Sequence, residues 1–288
     1  MSWRTIVITG TAKLDYQQGF LVVRGNDTKK IHLNEIQTLI IESTAVSVTV
    51  FLLKELTNHK VKIIFCDEKR NPSSELIPYY GSHDTSIKVR EQIAWEQNLK
   101  TSVWTEIVKE KIRQQAIALN GFQCKEEKAL RKYIDEVEFG DATNREGHAA
   151  KVYFNAMFGK EFSRRDENSI NAALNYGYSL LLSAFNREIV ANGFITQLGL
   201  SHSNRFNPFN LASDLMEPFR PLVDIMVKEK NLQKFEMEEK HEMMELLTTE
   251  VIIKNRKEFL PNAIHIYCKS IFDLLCNKGE GAISFYSK

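Results

Sequence analysis

Between Ile87 and about Asn120 the chain contains neither proline nor glycine. Ile93, Leu99, Val103, Ile107, Val108, Ile112 and Ala116 recur there with a period of about 3.6 residues, the spacing of one buried helix face. A segment this long and regular commits the second part of the chain to helices. Further helices are expected over 125–138, 143–158, 167–192, 213–230, 236–249 and 261–277.

The first seventy residues have another texture. RTIVITG, FLVVRG, KIHL and TLIIES are short β-branched runs separated by Gly, Asn and Asp, which is strand patterning. AKLDY and GFLVVRG, joined through Gln17, Gln18 and Gly19, read as a hairpin. VTVFLLKELTNHK reads as a short helix and VKIIFCD as a buried strand. The stretch from Asp67 to Ser86 is rich in Pro, Ser, Asn and Gly. The fold expected is α+β: a small β-sandwich-like domain over 1–70, a linker over 71–86 and a larger all-α domain over 87–288.

Composition excludes more than it assigns. With 43% apolar and 26% charged residues the chain has the make-up of an ordinary globular protein. No apolar run is long enough to span a bilayer, and MSWRTIVITG reads as a first strand rather than a secretory signal. Cys66, Cys124, Cys268 and Cys276 are scattered, which suits reduced thiols in the cytoplasm better than a disulfide frame or a zinc site. A net charge of +1 leaves any nucleic-acid contact to a local patch. No phosphate-binding glycine loop is present, and KHEMMEL around His241 lacks the second histidine of a zinc protease. His32, His59, His83 and His265 stand alone.

Three acidic positions and one histidine remain. In TNREGHAAKVYFNAMFGK, Glu146 heads the stripe Ala149, Ala150, Tyr153 and Met157. A carboxylate on that face needs a cation, unless Glu146 is simply an exposed first-turn acid favoured by the helix dipole. On the next helix Asn171, Asn175, Tyr178 and Leu182 share a face, and their amides need partners: protein groups, phosphate or metal ligands. In GLSHSNRFNPFNLASDLMEPFRPLVD, Ser213 can cap a helix beginning at Asp214, with Pro218 in its first turn. Asp214 and Glu217 are then neighbours that repel unless a cation joins them, and His202 can fold over them. One imidazole with two or three carboxylates is a mixed O/N donor set, suited to Mg²⁺ or Mn²⁺.

Read in order, REGHAAKVYF, NAALNYGYSLL, GLSHSN and FNLASDLMEPFRPLVD resemble the catalytic subunit of CRISPR spacer acquisition, CRISPR-associated protein one. The resemblance spans the whole chain, and LNYGY and DLMEPFRP are similar to the type II-A branch. It implies that Glu146, His202 and Glu217 are metal ligands and catalytic residues, with Asp214 in an accessory acidic position. The reaction implied is metal-dependent insertion of short DNA fragments into a CRISPR array by attack of a 3′-hydroxyl on a phosphodiester. Arg145, Lys151, Arg164, Arg165, Arg205 and Arg220 flank the site and, with Asn175 and Tyr176, are candidates for DNA contact.

The partners implied are double-stranded DNA (the incoming fragment and the CRISPR repeat), a second copy joined largely through the β domains, and CRISPR-associated protein two. The type II-A branch adds the effector nuclease and a ring-forming accessory protein. Two rivals share the same residues: a metal-dependent nuclease that only cleaves, and a non-enzymatic DNA-binding scaffold.

Overall fold

The computed structural model describes residues 4–78 and 82–287. The chain divides into two units, Met1–His83 and Asp84–Lys288. The boundary falls inside the expected linker, of which residues 79–81 lie outside the described residues.

In the first unit β1 (Arg4–Ile8), β2 (Ala12–Gln17), β3 (Phe20–Arg24), β4 (Thr28–His32), β5 (Ile36–Ile41) and β6 (Val46–Val48) are followed by α1 (Val50–Asn58), β7 (Lys62–Cys66) and β8 (Pro72–Leu76). They form two four-stranded sheets, ordered β1-β5-β7-β8 and β4-β3-β2-β6. The hairpin between β2 and β3 turns on Gln18 (φ 49°) and Gly19 (φ 86°), the left-handed pair that a two-residue hairpin turn requires. Every residue of β5 is buried, as suits a central strand covered on both faces. Leu14 and Leu21 from one sheet, Leu39 and Ile63 from the other, and Leu52 and Leu56 of α1 share one core. The sandwich-like expectation therefore holds. Part of the expected linker is instead strand: β8 pairs antiparallel with β7, because Pro72 at the start of an edge strand sacrifices no central ladder bond.

The second unit contains α2 (Thr85–Ile93), α3 (Gln97–Gly121), α4 (Glu127–Asp135), α5 (Arg145–Phe158), α6 (Ser169–Ala191), α7 (Asn210–Leu215), α8 (Arg220–Lys230) and α9 (Met237–Met243). These are followed by β9 (Glu250–Ile253), β10 (Arg256–Phe259), α10 (Leu260–Cys276) and β11 (Tyr286–Ser287). The helical periodicity is borne out, with two corrections. The run from Ile87 is broken between α2 and α3, and the unit is not all-α: β10-β9-β11 form a small sheet. In β9 alternation over four residues is too brief a signal to read against the helices around it, and β10 (RKEF) shows none.

The expected helix over 213–230 is also divided. It starts earlier, at Asn210, so Ser213 lies inside it rather than capping it. Pro218 lacks an N–H and its ring would strike the carbonyl four residues back. The chain accordingly leaves α7 at Leu215, passes through a 3-10 turn at Glu217–Phe219, and resumes as α8 with Pro221 in its first turn. Gly177 lets α6 and α8 approach closely; a β-carbon there would drive into Val223 and stand 2.9 Å from Met243. The four cysteines are free, and no described helix is long and apolar enough to cross a membrane.

Candidate functional site

Helix α3 is the spine of the site. Trp104 and Lys111 lie two turns apart on one face of it, both buried. Glu146 enters from the first turn of α5. Asn144, left-handed at φ 53°, caps that helix by accepting from Gly147 N–H, while the Asp141 carboxylate accepts from the N–H groups of Arg145 at 2.7 Å and Glu146 at 3.0 Å. These caps fix the turn from which Glu146 projects. Of the expected stripe, Ala149, Tyr153 and Met157 are buried behind it, and Ala150 is half-buried.

Lys111 meets both catalytic candidates from the acid set. Its Nζ donates to Glu146 Oε1 at 2.5 Å and lies 2.5 Å from Glu217 Oε2. The contact with Glu217 is a second charge-assisted pair of the same ammonium, with a buried carboxylate. The other oxygen of Glu217 pairs with Arg220 at 3.0 Å. Burial pushes Glu217 upward, but the charges of Lys111 and Arg220 outweigh it and hold its carboxyl below the usual carboxylate value. Burial likewise opposes the Lys111 charge, and Glu217 and Glu146 more than offset it, so the ammonium is retained.

The histidine is positioned by Asp214, which is fully buried. Its carboxylate accepts from the backbone N–H of Leu200 at 2.6 Å, of Ser201 at 3.1 Å and of His202 at 3.1 Å, and faces His202 Nδ1 at 2.5 Å. That hydrogen bond raises the His202 pKa, and burial only partly opposes it. A carboxylate can only accept, so Nδ1 carries the proton and the neutral ring offers its lone pair at Nε2. The ring packs edge-on against Trp104, with centroids 5.7 Å apart. Gly199 is required for this closure: a β-carbon there would stand 2.6 Å from Asp214 Oδ2 and run into the carbonyl of His202.

Glu146 and Glu217 are thus one ammonium apart, and His202 stands on the same α3 face. The three do not close into one ligand cluster, since among the described residues no three His, Cys, Asp or Glu side chains are grouped to hold a metal. The donor set nevertheless fits a hard divalent cation. Two carboxylates already share a positive charge supplied by Lys111, and the imidazole is set in its metal-ligating tautomer. Asp214 does not share the acid face expected of it. The break at Pro218 sends Glu217 to Lys111 and leaves Asp214 behind His202.

The basic candidates separate by environment. Arg145 pairs with Glu136 at 3.2 Å and lies over the Tyr133 ring, and Arg220 lies over Tyr178. Arg164 is held by Asn171 and Asn175 and lies over Phe154 and Tyr178, so the amide-bearing face of α6 serves the protein's own fold. Tyr176 is buried against Phe235. Lys151, Arg165 and Arg205 are exposed.

Sequence reading missed Lys111 and Trp104. A signal existed: Trp104, Val108, Lys111 and Gln115 follow a helical stripe, so Lys111 is a charge on an inward face.

The fold defines the class first, that of Cas1 and casposase structures. The chain is similar to a casposase solved bound to its integration product, at 17% identity and a TM-score of 0.79 over 98% of this chain and 93% of the other. It is also similar to a Cas1 protein from Thermotoga maritima, at 16% identity and a TM-score of 0.76 over 94% and 97%. The family model for CRISPR associated protein Cas1 matches residues 6–258. The CRISPR-associated endonuclease Cas1 of Neisseria meningitidis serogroup C is 38% identical over 229 residues, covering 79% of this chain and 75% of the relative. The chain belongs to the Cas1 family.

Proposed function

We propose that the protein is the metal-dependent DNA integrase of CRISPR adaptation, joining short DNA fragments to a CRISPR array by transesterification. The observation that carries this reading is the pairing of Glu146 and Glu217 about one cationic position beside an Asp214-held imidazole. The casposase neighbour bound to an integration product supports strand transfer as the reaction class. The Cas6-RT-Cas1–Cas2 complex, similar at 17% identity and a TM-score of 0.71 over 96% of this chain and 35% of the other, supports a second protein, CRISPR-associated protein two, as partner.

In this reading Glu146, His202 and Glu217 hold Mg²⁺ or Mn²⁺. Held there, such an ion would supply Lewis-acid polarisation of the scissile phosphate. Asp214 fixes the His202 tautomer. Lys111 and Arg220 keep Glu217 ionised and offer positive charge beside the reacting phosphate. The 3′ oxygen of the fragment forms a new P–O bond as the P–O bond of the array strand breaks; the attacking hydroxyl's proton passes to a base or to water, and the released 3′ oxygen of the array strand takes up a proton to become a free hydroxyl. The number of phosphodiesters is unchanged, so no nucleotide need be hydrolysed. Of the basic candidates, Lys151, Arg165 and Arg205 are exposed and so free to meet DNA phosphates. A homodimer through the first unit belongs to the same reading, as do the type II-A effector nuclease and its ring-forming accessory protein.

The test is an integration assay on a CRISPR array with the small partner and Mg²⁺ or Mn²⁺. Glu146→Ala should lose strand transfer while keeping its circular dichroism and most of its DNA binding. Normal strand transfer by that variant overturns the assignment. The word endonuclease in the relative's name favours cleavage as the second reading; hydrolytic products without joined ones would select it.

A further inference from the structure

The last described residues of the chain return to the acidic centre. Tyr286 in β11 is 3% exposed and pairs with Ile253 of β9. Its hydroxyl donates to the carbonyl of Pro218 at 3.1 Å. Its ring packs on Phe219, with centroids 4.6 Å apart, and Phe219 is enclosed on its other sides by Phe185 and Tyr267. Its own carbonyl accepts from Gln114 Nε2 at 3.1 Å.

Both attachments matter for where they lie. Pro218 follows Glu217 directly, in the same 3-10 turn. Gln114 is one helical turn beyond Lys111 on α3. Tyr286 therefore ties together the two elements whose side chains meet in the Lys111–Glu217 pair. The 3-10 turn is only three residues long and without a side-chain cap, so its own backbone bonds hold it weakly. The strand carrying Tyr286 is only two residues long, with Ser284 N–H anchored to Ser270 Oγ at 2.9 Å just before it.

We infer that Tyr286 is a positioning residue for Glu217: the C-terminal strap holds the Glu217–Phe219 turn against α3 and so sets the distance at which Glu217 meets a cation. The inference rests on the reading that Glu217 is a metal ligand.

The experiment compares the full-length wild type, Tyr286→Phe and Glu217→Gln. Mn²⁺ binding is followed by electron paramagnetic resonance, melting temperature is measured, and strand transfer is titrated with Mn²⁺. Tyr286→Phe removes the bond to Pro218 and keeps the ring packed, so the variant should fold. Its Mn²⁺ affinity should fall about three- to tenfold, the loss expected for one hydrogen bond behind a ligand. Its melting temperature should move by no more than about 4 °C. The metal concentration for half-maximal strand transfer should rise in step, with the rate at saturating Mn²⁺ near that of wild type. Unchanged Mn²⁺ affinity in Tyr286→Phe, with Glu217→Gln binding poorly, overturns the inference and leaves the functional reading standing. Equal Mn²⁺ binding by wild type and Glu217→Gln, or none by either, overturns the functional reading and the inference with it.

Discussion

Oδ1 of Asp214 lies 2.5 Å from Nδ1 of His202, and the same carboxylate accepts three backbone N–H groups of the loop that carries the histidine. One buried acid therefore shapes the loop and orients the ring. Replacing Asp214 with Ala leaves those donors unsatisfied at about 1–3 kcal/mol each. The expected result is a clear loss of stability in urea, with metal affinity lower by about ten- to a hundredfold. Asp214→Asn, which can accept through one oxygen only, should fall between Ala and wild type in both measurements.

Lys111 is the counter-charge of two carboxylates, one of them fully buried. Lys111→Met should cost about 3 kcal/mol in the absence of divalent ions, the scale for breaking a buried ion pair. Mg²⁺ or Mn²⁺ should recover part of that loss, because a cation that binds only the folded state stabilises it. The check is the melting temperature of both proteins across a Mn²⁺ titration: the variant should gain more than wild type.

Gly199 faces the carboxylate of Asp214 and the carbonyl of His202. Gly199→Ala forces the His202 loop away from Asp214. It should cost about 1–3 kcal/mol, as overpacking does, and reduce strand transfer by more than the stability loss alone accounts for. Denaturant melts and initial integration rates at saturating metal measure the two.

Asp224 supplies a pH dependence away from the proposed ligands. Burial raises its pKa to about 6, against the hydrogen bond from Tyr178 at 2.5 Å and the charges of Arg220 and Arg164. With a folded pKa above the unfolded one, the folded state binds more protons between about pH 4 and 6, and stability falls as pH rises through that window. The loss, up to about 3 kcal/mol, is complete above the folded pKa. Asp224→Asn keeps an acceptor for Tyr178 and has no charge to bury. Relative to wild type it should therefore gain stability from about pH 4 to about pH 6 and level off above that, as read by urea denaturation at each pH.

Arg205 is exposed in the loop between His202 and α7, and its guanidinium lies over the neighbouring Phe206 ring. If it meets a phosphate, Arg205→Ala should weaken duplex binding across all sequences and reduce the slope of log affinity against log salt by about one. Binding isotherms at several salt concentrations read that slope.

The elements were legible where periodicity is long. The stripes of α3, α5 and α6 and the β-branched runs of the first unit each say which face is buried, because burial repeats with the geometry of helix or strand. The small sheet β10-β9-β11 was not legible: its strands are short and one of them pairs across the whole length of α10. The division of α7 from α8 was in the sequence as Pro218, but its consequence was not. Whether a proline sits in a first turn or breaks a helix depends on where the helix begins, which is settled at Asn210 by contacts with the preceding loop.

The amino-acid order alone fixed that Glu146 heads an inward stripe, that His202 precedes an acidic helix, and that Glu217 stands beside a proline. It left undecided what each of them meets. Lys111 joins Glu146 and Glu217 from 35 and 106 positions away, Asp214 turns to His202 instead of Glu217, and Tyr286 returns to Pro218 across 68 residues. A periodic pattern records that a side chain leaves water. Only the packed chain decides which charge or carbonyl waits on the other side, because that partner is chosen by loop closure over distances on which neighbouring residues exert no geometric constraint.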